Sequence, residues 1–111
     1  MAYDEELADR IRDALGPELV NVIEKKMFGG LAFLVGGNMA VAASGKGGLM
    51  VRTDPNTSAA LLRAGSVEPM EMGGKKMHGW LRVTTATVAD DDVLDEWVRR
   101  GVDFAKTLPP K

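Results

Sequence analysis

Cysteine is absent from all 111 residues. Neither a disulfide nor a thiolate-held zinc can therefore form. Histidine occurs once, at His78, which removes a histidine-based zinc cluster and any Cys–His nucleophile pair. No stretch approaches the roughly 20 consecutive apolar residues that a membrane-spanning helix needs. A basic leader followed by an apolar run is missing as well. The chain starts Met1-Ala2-Tyr3-Asp4-Glu5-Glu6, acidic and amphipathic. Aromatic residues are few, with two Trp, one Tyr and three Phe. These absences predict a cytoplasmic protein that needs no cofactor. Its length predicts one domain, 1–111, able to bury roughly two-thirds of its unfolded surface without covalent staples.

What is present is concentrated between Met27 and Thr53. Three apolar runs of strand length, Leu31 to Val35, Met39 to Ser44 and Leu49 to Thr53, are separated by Gly36-Gly37-Asn38 and by Gly45-Lys46-Gly47-Gly48. Glycine supplies the positive φ that tight hairpins demand, so the pattern predicts an antiparallel meander. Alternation places Leu31, Phe33 and Val35 on one face. Met39, Val41 and Ala43, then Leu49 and Val51, are expected to continue that face. Ala32, Ala40, Ala42, Leu34 and Met50 are expected on the other, where small alanines suit close approach.

Helices are predicted at both ends. Leu7, Ile11 and Leu15 recur at i, i+4, i+8 behind Asp4, Glu5 and Glu6, whose charges suit a helix N-terminus, and Gly16-Pro17 ends the pattern. Asp90-Asp91-Asp92 opens a last helix with Leu94, Trp97, Val98, Gly101, Ala105 and Leu108 inward, closed by Pro109-Pro110. Between these lie a linker and strand over 19–28 and a short helix from Ser58 to Arg63. Val67 to Met72 reads as an edge strand, because Pro69 lacks a donor, and a further strand runs from Met77 to Thr87. The fold class is α+β: an antiparallel sheet with flanking terminal helices and one short helix between strands.

Charge is unevenly placed. Residues 1–24 hold seven acids against two bases, 25–87 hold eight bases against three acids, and 88–111 hold six acids against four bases. Acidic helices compensating a basic sheet is one reading, and a basic patch for an acidic partner is the other.

Met27-Phe28-Gly29-Gly30, the strand and hairpin that follow, and Leu49-Met50-Val51-Arg52-Thr53-Asp54-Pro55 resemble the N-terminal domain of the TfoX/Sxy competence regulators. The stretch Gly74-Lys75-Lys76-Met77-His78-Gly79-Trp80 and the acidic start of a tryptophan-bearing last helix fit the same pattern. The resemblance spans roughly Leu7 to Leu108. It implies one antiparallel sheet with flanking helices, and a regulatory domain that promotes competence-gene transcription together with a cyclic-AMP-receptor-type activator. In full-length regulators a second, helical domain follows, so the chain is expected to be a stand-alone N-terminal domain.

Candidate chemistry is sparse. In the Met27, Phe28, Gly29, Gly30 motif, and at Gly79, the bland reading is structural: Phe28 in a core and glycines at a bend or bulge. Lys75-Lys76-Met77-His78-Gly79-Trp80 offers lysines, an imidazole and an indole that could grip a phosphate or stack on a base. Gly45-Lys46-Gly47-Gly48 and Gly73-Gly74-Lys75 lack the spacing and the following Ser or Thr of a phosphate loop, and read as turns. Met70, Met72, Met77 and His78 are soft donors of the type copper(I) takes, yet methionine also fills cores. No metal, catalytic residue or cofactor site is assigned.

The reading that follows is a non-enzymatic regulatory or adaptor domain. It would contact a protein, such as a transcription regulator, through a rim of Lys25, Lys26, Arg52, Lys75, Lys76 and His78, with Trp80 as anchor. The alternatives are direct nucleic-acid binding by the same rim and, with less in its favour, a small-ligand, metal-binding or enzymatic role. An isoelectric point of about 5.4 weighs against nucleic acid. No membrane partner is expected. The edge strand at Val67–Met72 could pair with a second copy to give a homodimer.

Overall fold

A computed structural model describes residues 4–27, 29–45, 47–54, 67–72 and 75–109, with backbone only at 27, 69–72 and 75–78. Helix α1 (Glu5–Leu15) begins where the Asp4 carboxylate accepts from the Leu7 N–H at 3.2 Å. That bond satisfies a donor the helix cannot satisfy itself. A 3-10 segment, Gly16–Asn21, then takes in the first residues of the linker expected from Leu19. Among the described residues six strands follow: β1 (Val22–Met27), β2 (Gly30–Val35), β3 (Asn38–Ala43), β4 (Leu49–Arg52), β5 (Glu68–Met72) and β6 (Lys75–Val83). Helix α2 (Asp91–Thr107) closes the chain, capped by Asp90, whose carboxylate accepts from Asp92 N–H at 2.8 Å and Val93 N–H at 3.3 Å. The α+β class holds. The short helix expected over Ser58 to Arg63 lies outside the described residues.

All six strands join one antiparallel sheet in the order β1-β2-β3-β4-β6-β5. The first four form the expected meander. Then β6 inserts between β4 and β5, which leaves β5 on the outside, a position where a strand tolerates proline. Both helices pack on one face. Leu7, Ile11 and Leu15 of α1 and Leu94, Trp97, Val98, Val102 and Ala105 of α2 are buried there against Leu31, Phe33, Val41, Leu49, Val51, Leu81 and Val83. A smaller cluster of Ala32, Met39, Ala42 and Met50 is buried on the second face, flanked by Leu34 and Trp80.

Two expectations are corrected. Met39 lies on the second face and Ala40 on the helix face, the reverse of strict alternation. The register jumps from Phe33↔Val41 to Leu34↔Met39, so Ala40 is the extra residue of a β-bulge. Ala40 and Val41 therefore both face the helices, and the phase is inverted toward Met39. Helix α2 packs tightly on that bulge at Gly101. A Cβ on Gly101 would sit 2.5 Å from the Ala40 carbonyl oxygen and 2.8 Å from Val41 Cγ1, so only glycine fits.

The second correction is at β6, which ends at Val83 rather than running to Thr87. Thr84 stops it. Its carbonyl accepts from Thr87 N–H at 3.0 Å and its hydroxyl lies 2.9 Å from that of Thr87, which draws the backbone into a turn and a 3-10 segment, Thr87–Ala89. The strand begins earlier than expected, at Lys75.

Candidate protein-contact rim

The residues of the rim divide between two parts of the sheet. Lys25 and Lys26 are exposed neighbours on β1, the strand at one end of the sheet. They pair in register with Ala32 and Leu31 of β2, so Lys25 stands on the second face and Lys26 on the helix face. Arg52 and Trp80 are a cross-strand pair on β4 and β6. With strands about 4.8 Å apart, β1 and β4 are separated by roughly 14 Å. The lysines and Arg52 therefore do not form one contact point.

Arg52 and Trp80 are brought together. The Arg52 guanidinium carbon lies 5.4 Å from the Trp80 ring centre and 5.9 Å from that of Phe104 on α2. A guanidinium between two aromatic faces is held by their quadrupoles and is only half-buried, so it keeps access to water. Trp80 is also half-buried and packs on the second-face cluster. It serves the structure with one side and leaves part of its indole open. Phe104 was not singled out from the sequence. Its position on the last helix gave no sign that it reaches the β4–β6 end of the sheet.

Lys75, Lys76 and His78 are in β6, where Lys75 pairs with Met72 and Lys76 with Glu71 of β5. Their side chains lie outside the described residues, as do those of Met27, Met70, Met72 and Met77. Phe28 lies outside them entirely. The register of β5 against β6 slips between Pro69 and Glu71. Gly79, at φ 84°, takes up a conformation there that a Cβ would strain. Its carbonyl accepts from Thr53 N–H at 2.7 Å. Gly30 is pressed against the Ala43 carbonyl of β3, and Gly29 turns the chain between β1 and β2.

Four of the basic residues on which compensation between acidic helices and a basic sheet would depend, Lys46, Arg63, Lys75 and Lys76, have side chains outside the described residues; the ion pairs that follow are those among the described residues. Arg10 of α1 meets Asp91 of α2 at 2.7 Å and donates to the Val88 carbonyl at 2.7 Å. Lys106 meets Glu18 at 2.5 Å. The one pair joining helix and sheet has the opposite sense: Arg12 of α1 grips Glu24 of β1 through two 2.7 Å bonds. The Arg12 hydrogen bonds hold the Glu24 carboxyl below its usual range, against the desolvation that opposes them. Glu24 in turn is the main reason the Arg12 pKa is raised. Lys25 and Lys26 take part in none of these pairs.

Sequence reasoning passed over a further feature of this rim. The large hydrophobic residues exposed among those described are Leu19, Val20 at 87% and Ile23 at 65%. All three fall within five residues and lead into Lys25-Lys26. The break of alternation at Val22-Ile23 was the available sign. Val22 packs on the core while Ile23 does not.

The chain matches the family described as the TfoX N-terminal domain, over residues 13–105. No curated protein and no solved structure matches the chain.

Proposed function

The chain belongs to the TfoX N-terminal domain family, and from that premise we propose a non-enzymatic adaptor that holds a protein partner in transcription regulation. The family is not one known for catalysis, and membership suggests a competence-related regulatory domain. The observation that supports protein contact is the exposed cluster of Leu19, Val20 and Ile23 beside Lys25 and Lys26. Apolar residues next to charge at a rim resemble the make-up of protein interfaces more than that of a solvated strand. Arg52 between Trp80 and Phe104 is a second contact point of interface-prone residue types.

The test is retention on the immobilised chain after nuclease treatment. Wild type, Lys25→Glu/Lys26→Glu and Lys75→Glu/Lys76→Glu are compared, first with a purified cyclic-AMP-receptor-type activator and then with lysate. The expected result is a protein retained by wild type and lost from at least one charge-reversed variant that keeps its fold. Identical retention by all three removes the rim from the function. Retention that disappears with nuclease, and falls steeply with salt, assigns the rim to nucleic acid instead.

A further inference from the structure

We infer that the outer edge of β1 is a strand-addition site, taking an extended peptide with two adjacent acidic residues followed, two positions on, by an apolar one. The inference rests on the adaptor reading for the partner's being a protein, and adds where and how it binds.

The edge is open and prepared. Among the described residues β1 ends the strand order and pairs with β2 alone, over six register positions from Val22↔Val35 to Met27↔Gly30. A strand paired along one side leaves the amides and carbonyls of the other side unused, and these template a further strand. β1 is also fastened before any partner arrives, by the β2 ladder and by the bidentate grip of Arg12 on Glu24. A held strand loses little conformational freedom on binding. Proteins usually protect such an edge with charge. Here Lys25 and Lys26 could serve only that purpose, but a protected edge would not also expose Ile23 at 65% and Val20 at 87%.

The edge also indicates what covers it. An incoming antiparallel strand meets Lys26, Lys25, Glu24 and Ile23 in that order. Directly opposite side chains interact, so acid is favoured at the first two positions and an apolar residue at the fourth. The third is undemanding, since Glu24 is already neutralised by Arg12. A parallel strand reads the same pattern reversed. A second copy of this chain fits poorly. A two-fold axis normal to a continuous sheet passes through one residue, which then faces itself. Centred on Ile23, it sets Lys25 opposite Asn21 and Lys26 opposite Val20; centred on Glu24, Lys25 or Lys26, it sets like charges together. No symmetric register gives both lysines an acid.

The probe is a short fluorescein-labelled peptide with the core Asp-Glu-Thr-Val between threonines. Its controls are the same peptide with Lys-Lys in place of Asp-Glu and one with the core scrambled. Polarisation should show saturable binding of the first alone, weakened about tenfold or more by Lys25→Glu/Lys26→Glu. Amide resonances of 22–27 should shift with the peptide, and alternate amides should become protected from exchange. Three results overturn the inference: no saturable binding, binding that leaves the 22–27 amides unmoved, or a dimer of the free chain that buries these amides. The adaptor reading fails separately, if no retained protein depends on either lysine pair. A retained partner together with a silent peptide would sink strand addition and leave the adaptor standing.

Discussion

The helix-covered face of the sheet and the outer edge of β1 treat apolar residues in opposite ways. Phe33, Leu49, Val51, Leu81 and Val83 are fully buried under α1 and α2. In β1 and the turn before it, Ile23 and Val20 stand in water and add little to the burial that drives folding. Burying such a side chain is worth roughly 1.5–3 kcal/mol. Burial in the first arrangement adds to stability, whereas exposure in the second adds nothing to it, so the two regions divide what folding uses from what it leaves free. The comparison yields measurable differences, and substitutions on the two regions should separate by several kcal/mol.

The largest effect is expected at Phe33→Ala. Its ring is the largest side chain of the fully buried set, beneath both helices, and its loss should cost about 3–5 kcal/mol in urea unfolding. A cost under about 1 kcal/mol would mean the helix-covered face is not the centre of stability. Gly101→Ala should come next. The added methyl meets a backbone oxygen at 2.5 Å, which cannot swing aside as a side-chain tip would, so α2 must lift from the β3 bulge. About 1–3 kcal/mol is the expected loss. Alanine is the better helix former by nearly 1 kcal/mol, so a neutral or stabilising result would show that the helix does not press on the bulge.

Much of this face was legible from residue order and some of it was not. The glycine pairs marked the hairpins, and Leu7, Ile11 and Leu15 marked the inner side of α1, because local chemistry alone sets these features. The phase of β3 was not legible. Asn38-Met39-Ala40-Val41-Ala42-Ala43 shows little polarity contrast, and the bulge packs against Gly101, about sixty positions later in the chain. The end of β6 depended on hydroxyls of Thr84 and Thr87 that suit a strand equally well by propensity. At the rim, Lys25 and Lys26 were legible as a basic pair. The open edge beside them was not, since β1 becomes terminal only through the pairing of β4 with β6. The family motif was recognisable in full, yet its glycines mark bends and close approaches and do not locate a contact surface.

A smaller effect should come from the fastening of β1 to α1. Glu24 has its folded pKa depressed by the Arg12 hydrogen bonds. Its contribution is therefore fully present above its unfolded pKa, near 4.3, and is lost as pH falls through the lower folded value. Both side chains are about one-third exposed, so solvent screens the pair and its worth is about 1 kcal/mol or less. Wild type and Glu24→Gln should differ at neutral pH and converge in acid. Parallel stability curves from neutral pH into acid would show that the ion pair contributes nothing in solution.

The smallest effect is expected at the most apolar-looking change on the edge. Ile23→Thr keeps a β-branched side chain suited to a strand and exchanges an ethyl group that is mostly in water for a hydroxyl. If the edge is open in the free protein, unfolding should move by no more than about 0.5 kcal/mol, as for an ordinary surface substitution. A loss of 2 kcal/mol would mean that Ile23 is covered in solution, by the chain itself or by a copy, and the contrast between core face and edge would disappear. A neutral change in stability combined with weakened peptide binding would instead separate the two uses of apolar surface: folding does not need Ile23, whereas the partner strand does.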